Sequence, residues 1–155
     1  MSLWPREYGG LSREQFGLLQ AELRAIEARL PMAGMGTSMV GPTLLEYGTE
    51  EQELRYTLST AVGYIVWCQG YSELGAGSGL ASLQTRAVDR GDFFEINGQK
   101  VWTSGALFAD GMFALVRTDP NVLTHAGISF MLLDMHQPDV TITPVKLIAG
   151  SSPFC

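Results

Sequence analysis

Much that would point to a cross-linked, membrane-bound or nucleic-acid-binding protein is missing from this sequence. Only two of its 155 residues are cysteine, Cys68 and Cys155. Two are too few for a disulfide framework or a self-sufficient zinc site, so a reducing cytoplasm is the expected compartment. Positive charge is scarce: ten Lys and Arg stand against sixteen Asp and Glu, a net charge of −6 and a pI near 4.8. The basic residues are scattered, and the chain carries no electrostatic footprint for nucleic acid. No stretch approaches the roughly 18 consecutive apolar residues of a membrane span. The opening Met1-Ser2-Leu3-Trp4-Pro5-Arg6-Glu7 lacks the basic-then-apolar layout of a secretory signal. Neither nucleic acid nor a membrane is therefore an expected partner. The two histidines, His125 and His136, lie apart from cysteine or carboxylate clusters and read as solvent-exposed rather than metal-ligating. No internal repeat or low-complexity linker is present. What remains is 46% hydrophobic residues and 17% charged, with a mean hydropathy of +0.11. That is the composition of a globular chain with ample core material.

The first third reads as helical. Ser12-Arg13-Glu14-Gln15 has the form of a capping box. Phe16, Leu19, Leu23, Ile26 and Leu30 recur at steps of three and four, one apolar stripe on a helix ending before Pro31. Pro42 suits the first turn of a short helix that stops at Gly48. Thr49-Glu50-Glu51-Gln52 repeats the capping box and opens a further helix, with Leu54 and Leu58 expected to face inward. From Tyr64 onward, Val, Ile, Thr and aromatic residues dominate, with turn residues at strand-like intervals. The expected strands are Ile65 to Tyr71, Leu83 to Asp89, Phe93 to Asn97, Gln99 to Thr103, Met112 to Thr118, Ile128 to Asp134 and Val140 to Pro144. Asn97-Gly98 is the strongest hairpin signal, a type I′ turn that needs positive φ at both central residues. Tight spacing favours antiparallel pairing, since parallel pairs need long crossovers. The fold class is α+β: a partial helical domain followed by a mostly antiparallel, barrel-like β-domain.

Special residues concentrate in Gly70-Tyr71-Ser72-Glu73-Leu74-Gly75-Ala76-Gly77-Ser78-Gly79-Leu80. Three glycines at alternate positions let the backbone turn N–H groups toward an anion or let a flat ligand approach closely. A Rossmann fingerprint counted from Gly75 needs glycine at position 80, where Leu80 stands, and a P-loop needs a lysine that does not follow. By itself the cluster is compatible with a plain structural loop.

In context, Trp67-Cys68-Gln69-Gly70-Tyr71-Ser72-Glu73 with Gly75-Ala76-Gly77-Ser78 resembles a signature loop of the acyl-CoA dehydrogenase family. Ile96-Asn97-Gly98-Gln99-Lys100-Val101-Trp102-Thr103-Ser104-Gly105 resembles that family's second signature at the expected separation. Collinear support comes from Trp4-Pro5-Arg6-Glu7-Tyr8-Gly9-Gly10, Gly41-Pro42-Thr43-Leu44, Tyr47-Gly48-Thr49-Glu50-Glu51-Gln52, Leu115-Val116-Arg117-Thr118-Asp119 and Gly127-Ile128-Ser129-Phe130. The resemblance implies a partial N-terminal helical domain over 1–62 and a truncated middle β-domain over 63–155. The family's C-terminal four-helix domain is expected to be absent.

It also implies FAD as cofactor and α,β-desaturation of an acyl-CoA, with hydride transfer to the flavin. Gln69, Tyr71 and Ser72 are expected along the flavin's pyrimidine edge, and Gly77 and Ser78 near its pyrophosphate, with Ser78 also near the thioester substrate. Trp102, Thr103 and Ser104 are expected against the ring, Ser104 offering a hydroxyl near N5. No catalytic residue is expected here, because the family's carboxylate base belongs to the C-terminal domain; Glu73 is read as a structural hydrogen-bond partner, and Cys68 as buried and inert. The expected partners are an acyl-CoA, with varied, dicarboxylic or sterol-derived acyl groups favoured, an electron-transferring flavoprotein, and further subunits of a homo- or hetero-oligomer. Leu74 and Gly79 replace the family's usual Pro and Asp, changes expected to loosen the loop. Two alternatives stay open: a non-catalytic flavin- or acyl-CoA-binding or assembly module, and a related flavoenzyme such as an acyl-CoA oxidase or flavin monooxygenase.

Overall fold

The computed structural model describes residues 4–28, 34–122 and 124–155, in two compact units, Met1–Val66 and Trp67–Cys155. In the first, helix α1 (Arg13–Ala25) opens with the expected capping box, Ser12 and Gln15 each bonding the other's backbone N–H. It stops earlier than its apolar spacing predicts. Glu27 takes a left-handed φ of 53°, and the N–H groups of Glu27 and Ala28 return to the carbonyls of Arg24 and Leu23. This is a Schellman-type ending with Glu where Gly is usual. Leu30 and Pro31 lie outside the described residues. No residue of α1 is buried, so its stripe is uncovered within this unit.

A π-helical turn, Gly36–Val40, runs straight into α2 (Gly41–Tyr47), which carries Pro42 in its first turn and ends at Gly48. Helix α3 (Glu50–Ala61) has the second expected capping box, between Thr49 and Gln52. Its inward face differs from the expectation. Leu54 and Leu58 are 69% and 58% exposed, whereas Thr57 and Thr60 are buried. Successive residues are rotated about 100° around a helix, and the side of α3 packed on α2 and the π-turn is the one with the small threonines. Trp4 organises this unit: its ring is buried, its Nε1 donates to the Thr37 carbonyl at 3.0 Å, and a Cβ at Gly41 would strike its ring.

The second unit is an open mixed sheet of β1 (Trp67–Gly70), β2 (Arg86–Asp89), β3 (Phe94–Asn97), β4 (Gly111–Arg117) and β5 (Ile128–Asp134). Strand β5 pairs antiparallel with β4 along its whole length. The other edge of β4 is shared by β1, parallel over Gly111–Ala114, and β2, parallel at Arg117. Strand β3 closes the order by an antiparallel ladder on β2. The antiparallel pairings include the longest ladder, but the sheet is not closed into a barrel. Its core holds Cys68, Leu83, Ala87, Phe113, Ala114 and Val116, all at 2% exposure or less.

Two expected strands are absent. Gln99–Thr103 and Val140–Pro144 are irregular, and Val145 contributes only a single bridge to Phe154. The β2–β3 hairpin turns instead through Arg90-Gly91-Asp92-Phe93, where Gly91 has φ 93° and its N–H bonds the Asp89 carboxylate. Gly98 lies outside the left-handed region, so Asn97-Gly98 is not a type I′ turn. Gly98 answers a different need: a side chain there would strike Thr85.

Candidate flavin-facing site

Strand β1 leads directly into the site. Gln69 is half-buried, in register with Phe113. At Gly70 a Cβ would strike the Met112 sulfur, so β1 lies close on β4. Tyr71 then packs edge-on to Phe113 at 5.7 Å, and Phe113 stacks on Phe130 at 5.8 Å. Burial raises the pKa of the Tyr71 phenol. This aromatic row fixes where the chain leaves the sheet.

The Ser72 carbonyl accepts the Val101 N–H at 2.9 Å. That bond joins the two signature segments and sets Trp102 one residue from the tie. Trp102 has a φ of 61°, uncommon for a bulky residue and strained by about 1–3 kcal/mol. Bonds from residues 103–105 to the chain's tail hold that strain in place. Thr103 exchanges both backbone hydrogen bonds with Cys155, at 2.9 and 3.2 Å, and Gly105 donates to the Pro153 carbonyl. Ser104 bridges to Phe154, whose ring meets Trp102 edge-on at 5.9 Å. Thr103 is buried and Ser104 half-buried, yet the Trp102 residue is 62% exposed. The indole is thus pinned at both flanks and left open to solvent.

The glycine loop forms the adjoining rim. Its neck is closed by Glu73, whose carboxylate accepts the N–H of Gln84 at 2.6 Å and of Thr85 at 3.0 Å. Glu73 and Ala76 exchange backbone bonds. Ser82 Oγ reaches the carbonyls of Gly79 at 2.7 Å and Gly75 at 3.3 Å. Lys100 Nζ donates to Glu73 at 2.8 Å, to the Leu115 carbonyl at 2.7 Å and to the Tyr71 carbonyl at 3.3 Å. Both side chains of this ion pair are over nine-tenths buried. Burial raises the Glu73 pKa, but the donors around it outweigh burial and hold the carboxyl at about 2. Lys100 is shifted down because desolvation exceeds the stabilisation its partner returns. Glu73 is thus a structural hydrogen-bonding residue, as its sequence context implies.

Gln69, Tyr71, Ser72, Trp102, Thr103 and Ser104 converge through β1 and the Ser72–Val101 bond. Gly77 and Ser78 stand on the exposed rim and, among the described residues, make no hydrogen bond to the Trp102 segment. The sequence motifs did not single out Lys100, Ser82 or Phe154. Lys100 had a signal, a lone cation flanked by Gln99 and Val101 inside the second signature. Phe154 had none, since its role depends on the tail folding back beside Ser104. Among the described residues no group of three or more His, Cys, Asp or Glu is placed to hold a metal ion, and His125 and His136 are exposed. Cys68 is buried, and burial pushes its thiol up to about 11.

The edge strand β1 runs into the glycine loop, whose Ser72 is bonded to the segment that carries an exposed indole. Residues 68–153 match the family profile described as acyl-CoA dehydrogenase, middle domain. The chain belongs to the acyl-CoA dehydrogenase family. It is similar to acyl-CoA dehydrogenase IpdE1 of Mycobacterium tuberculosis, with 41% identity over 97% of this chain and 40% of that protein. Among solved structures it is similar to the Tcur3481-Tcur3483 steroid ACAD, with a TM-score of 0.84 and 42% identity over 99% of this chain and 40% of that one. The ChsE4-ChsE5 complex from Mycobacterium tuberculosis matches with a TM-score of 0.79 and 38% identity, over 97% of this chain and 39% of that one. The chain therefore spans about two fifths of the length of these proteins.

The family's flavin fits the residues present. At Gly75 and Gly77 an added Cβ would meet no atom of the protein, and neither has positive φ. Neither internal packing nor backbone conformation requires glycine there, which leaves room for a ligand lying on the loop.

Proposed function

We propose that this chain is the flavin-facing part of an FAD-dependent acyl-CoA dehydrogenase, an oxidoreductase that α,β-desaturates an acyl-CoA thioester. The observation that carries the reading is the Ser72–Val101 hydrogen bond, which joins the start of the glycine loop to the segment of the exposed Trp102. When bound, FAD supplies the acceptor for the hydride that leaves Cβ. Trp102, with Thr103, would pack against the ring and keep water from it. Gln69, Tyr71 and the Ser72 hydroxyl would address its pyrimidine edge, and the Ser104 hydroxyl, able to donate or accept, would lie near N5. Gly77 and Ser78 would let the pyrophosphate and the thioester approach the backbone.

Glu73 is not the base for the α-proton. Both its oxygens already accept hydrogen bonds, and a carboxyl held at about 2 is a poor proton acceptor at neutral pH. In this reading the base for the α-proton comes from the family's C-terminal domain. The resemblance to a structure titled a steroid ACAD supports a bulky, sterol-derived acyl-CoA. The resemblance to the ChsE4-ChsE5 complex supports assembly into a hetero-oligomer. In the same reading, which the family alone suggests, an electron-transferring flavoprotein takes up the electrons. Two free cysteines accord with the cytoplasm, and no described helix is long and apolar enough to cross a membrane.

Titrating the chain with FAD while recording the visible difference spectrum tests the reading. A saturable spectral shift, lost in Trp102→Ala and weakened in Gly77→Val, is the expected result. A shift indifferent to both substitutions would contradict it.

A further inference from the structure

The pair Glu73–Lys100 neither binds the flavin nor moves a proton, yet it touches each part of the site. Its carboxylate closes the neck of the glycine loop through the N–H groups of Gln84 and Thr85. Its ammonium reaches back to the Tyr71 carbonyl, where the chain leaves β1, and to the Leu115 carbonyl in the middle of β4. The next residue after Lys100 donates to Ser72, and the one after that is Trp102. One buried ion pair therefore joins three segments distant in sequence: the loop, the Trp102 segment and the central strand.

We propose that Glu73 and Lys100 act as positioning residues, a single latch that sets the glycine loop and the Trp102 indole in fixed relation. The latch rests on the flavin reading for its purpose but not for its test. It has a consequence that ordinary packing lacks. Loss of either partner releases both segments together, because each ion holds the other in place. Removing Glu73 leaves the ammonium buried with carbonyls alone, while removing Lys100 leaves the carboxylate without its counter-charge.

Trp102 provides the readout. Trp4 and Trp67 are buried at 6% exposure, so Trp102 is the tryptophan open to solvent, and iodide quenching of the full chain reports on it. Hydrogen exchange at the amides of residues 75–84 and 101–105 reports the two segments separately. The variants are Glu73→Gln, Lys100→Met and the double variant, which leaves no lone buried charge and so guards against simple failure to fold. The expected result is faster exchange in both segments at once, by roughly tenfold to a hundredfold, in each variant. Trp102 quenching changes in parallel, and the double variant is no worse than the singles. Exchange that rises only at 75–84 in Glu73→Gln and only at 101–105 in Lys100→Met would overturn the latch. So would a lower melting temperature with both segments and Trp102 unchanged in the native state. If the latch holds and wild-type chain shows no FAD spectral shift, the flavin reading fails alone. If FAD binds and the segments loosen independently, the latch fails alone.

Discussion

The unit ending at Val66 and the unit beginning at Trp67 bury themselves differently. In the first, α1 has no fully buried residue, Leu54 and Leu58 point to solvent, and the buried apolar residues are few: Val40, Leu44 and one tryptophan seated against Gly41. In the second, Phe113, Leu83 and Val116 are fully buried in the sheet unit, and the two signature segments are tied by a buried ion pair. The apolar surface left open in the first unit includes residues along regular helices, Leu18, Leu19, Leu54 and Leu58. In the second unit it includes a single strained, doubly pinned tryptophan, Trp102, the residue that the proposed reading sets against the flavin.

The contrast between the units breaks most readily at Phe113. Phe113→Ala removes the ring between Tyr71 and Phe130 and is expected to destabilise the β-unit by about 3–5 kcal/mol in urea unfolding. A much smaller loss would show that the sheet is not the stiff member of the pair. Gly41→Ala drives a methyl into the Trp4 ring and is expected to cost the helical unit about 1–3 kcal/mol, read from the loss of helical signal in urea. If it is neutral, Trp4 does not organise the first unit.

Acid sharpens the contrast. The Glu73 carboxyl is lowered from 4.5 to about 2. Its contribution is fully present above the ordinary carboxyl value and is lost as pH falls from about 4.5 toward 2. Melting temperature against pH is expected to fall less steeply over that range in Glu73→Gln than in wild type. The smallest effect is expected at Leu54→Ala, within about 0.5 kcal/mol for an exposed site. A large loss there would mean that the leucine is covered in solution.

Local chemistry was legible in the sequence and tertiary choice was not. Both capping boxes and the Pro42 helix start were readable because each depends on residues within four positions of one another. The bounds of β5 were readable because an apolar run with clear turn residues at its ends leaves little freedom. Asn97-Gly98 misled because its glycine serves a close approach to Thr85, a residue distant in sequence. The inward face of α3 misled because hydrophobicity favours leucine, while close packing on α2 favoured threonine. In the candidate site, the motifs singled out Ser72 and Trp102, whose segments the Ser72–Val101 bond joins, whereas Lys100, Ser82 and Phe154 act through contacts that only the folded chain creates.

Iodide-resolved tryptophan fluorescence during an FAD titration puts the cradle itself to the test. Flavin seated between the glycine loop and Trp102 removes the iodide-accessible emission and leaves the buried Trp4 and Trp67 emission in place, with no such loss in Trp102→Phe. Flavin that binds while the iodide-accessible emission persists would contradict the account.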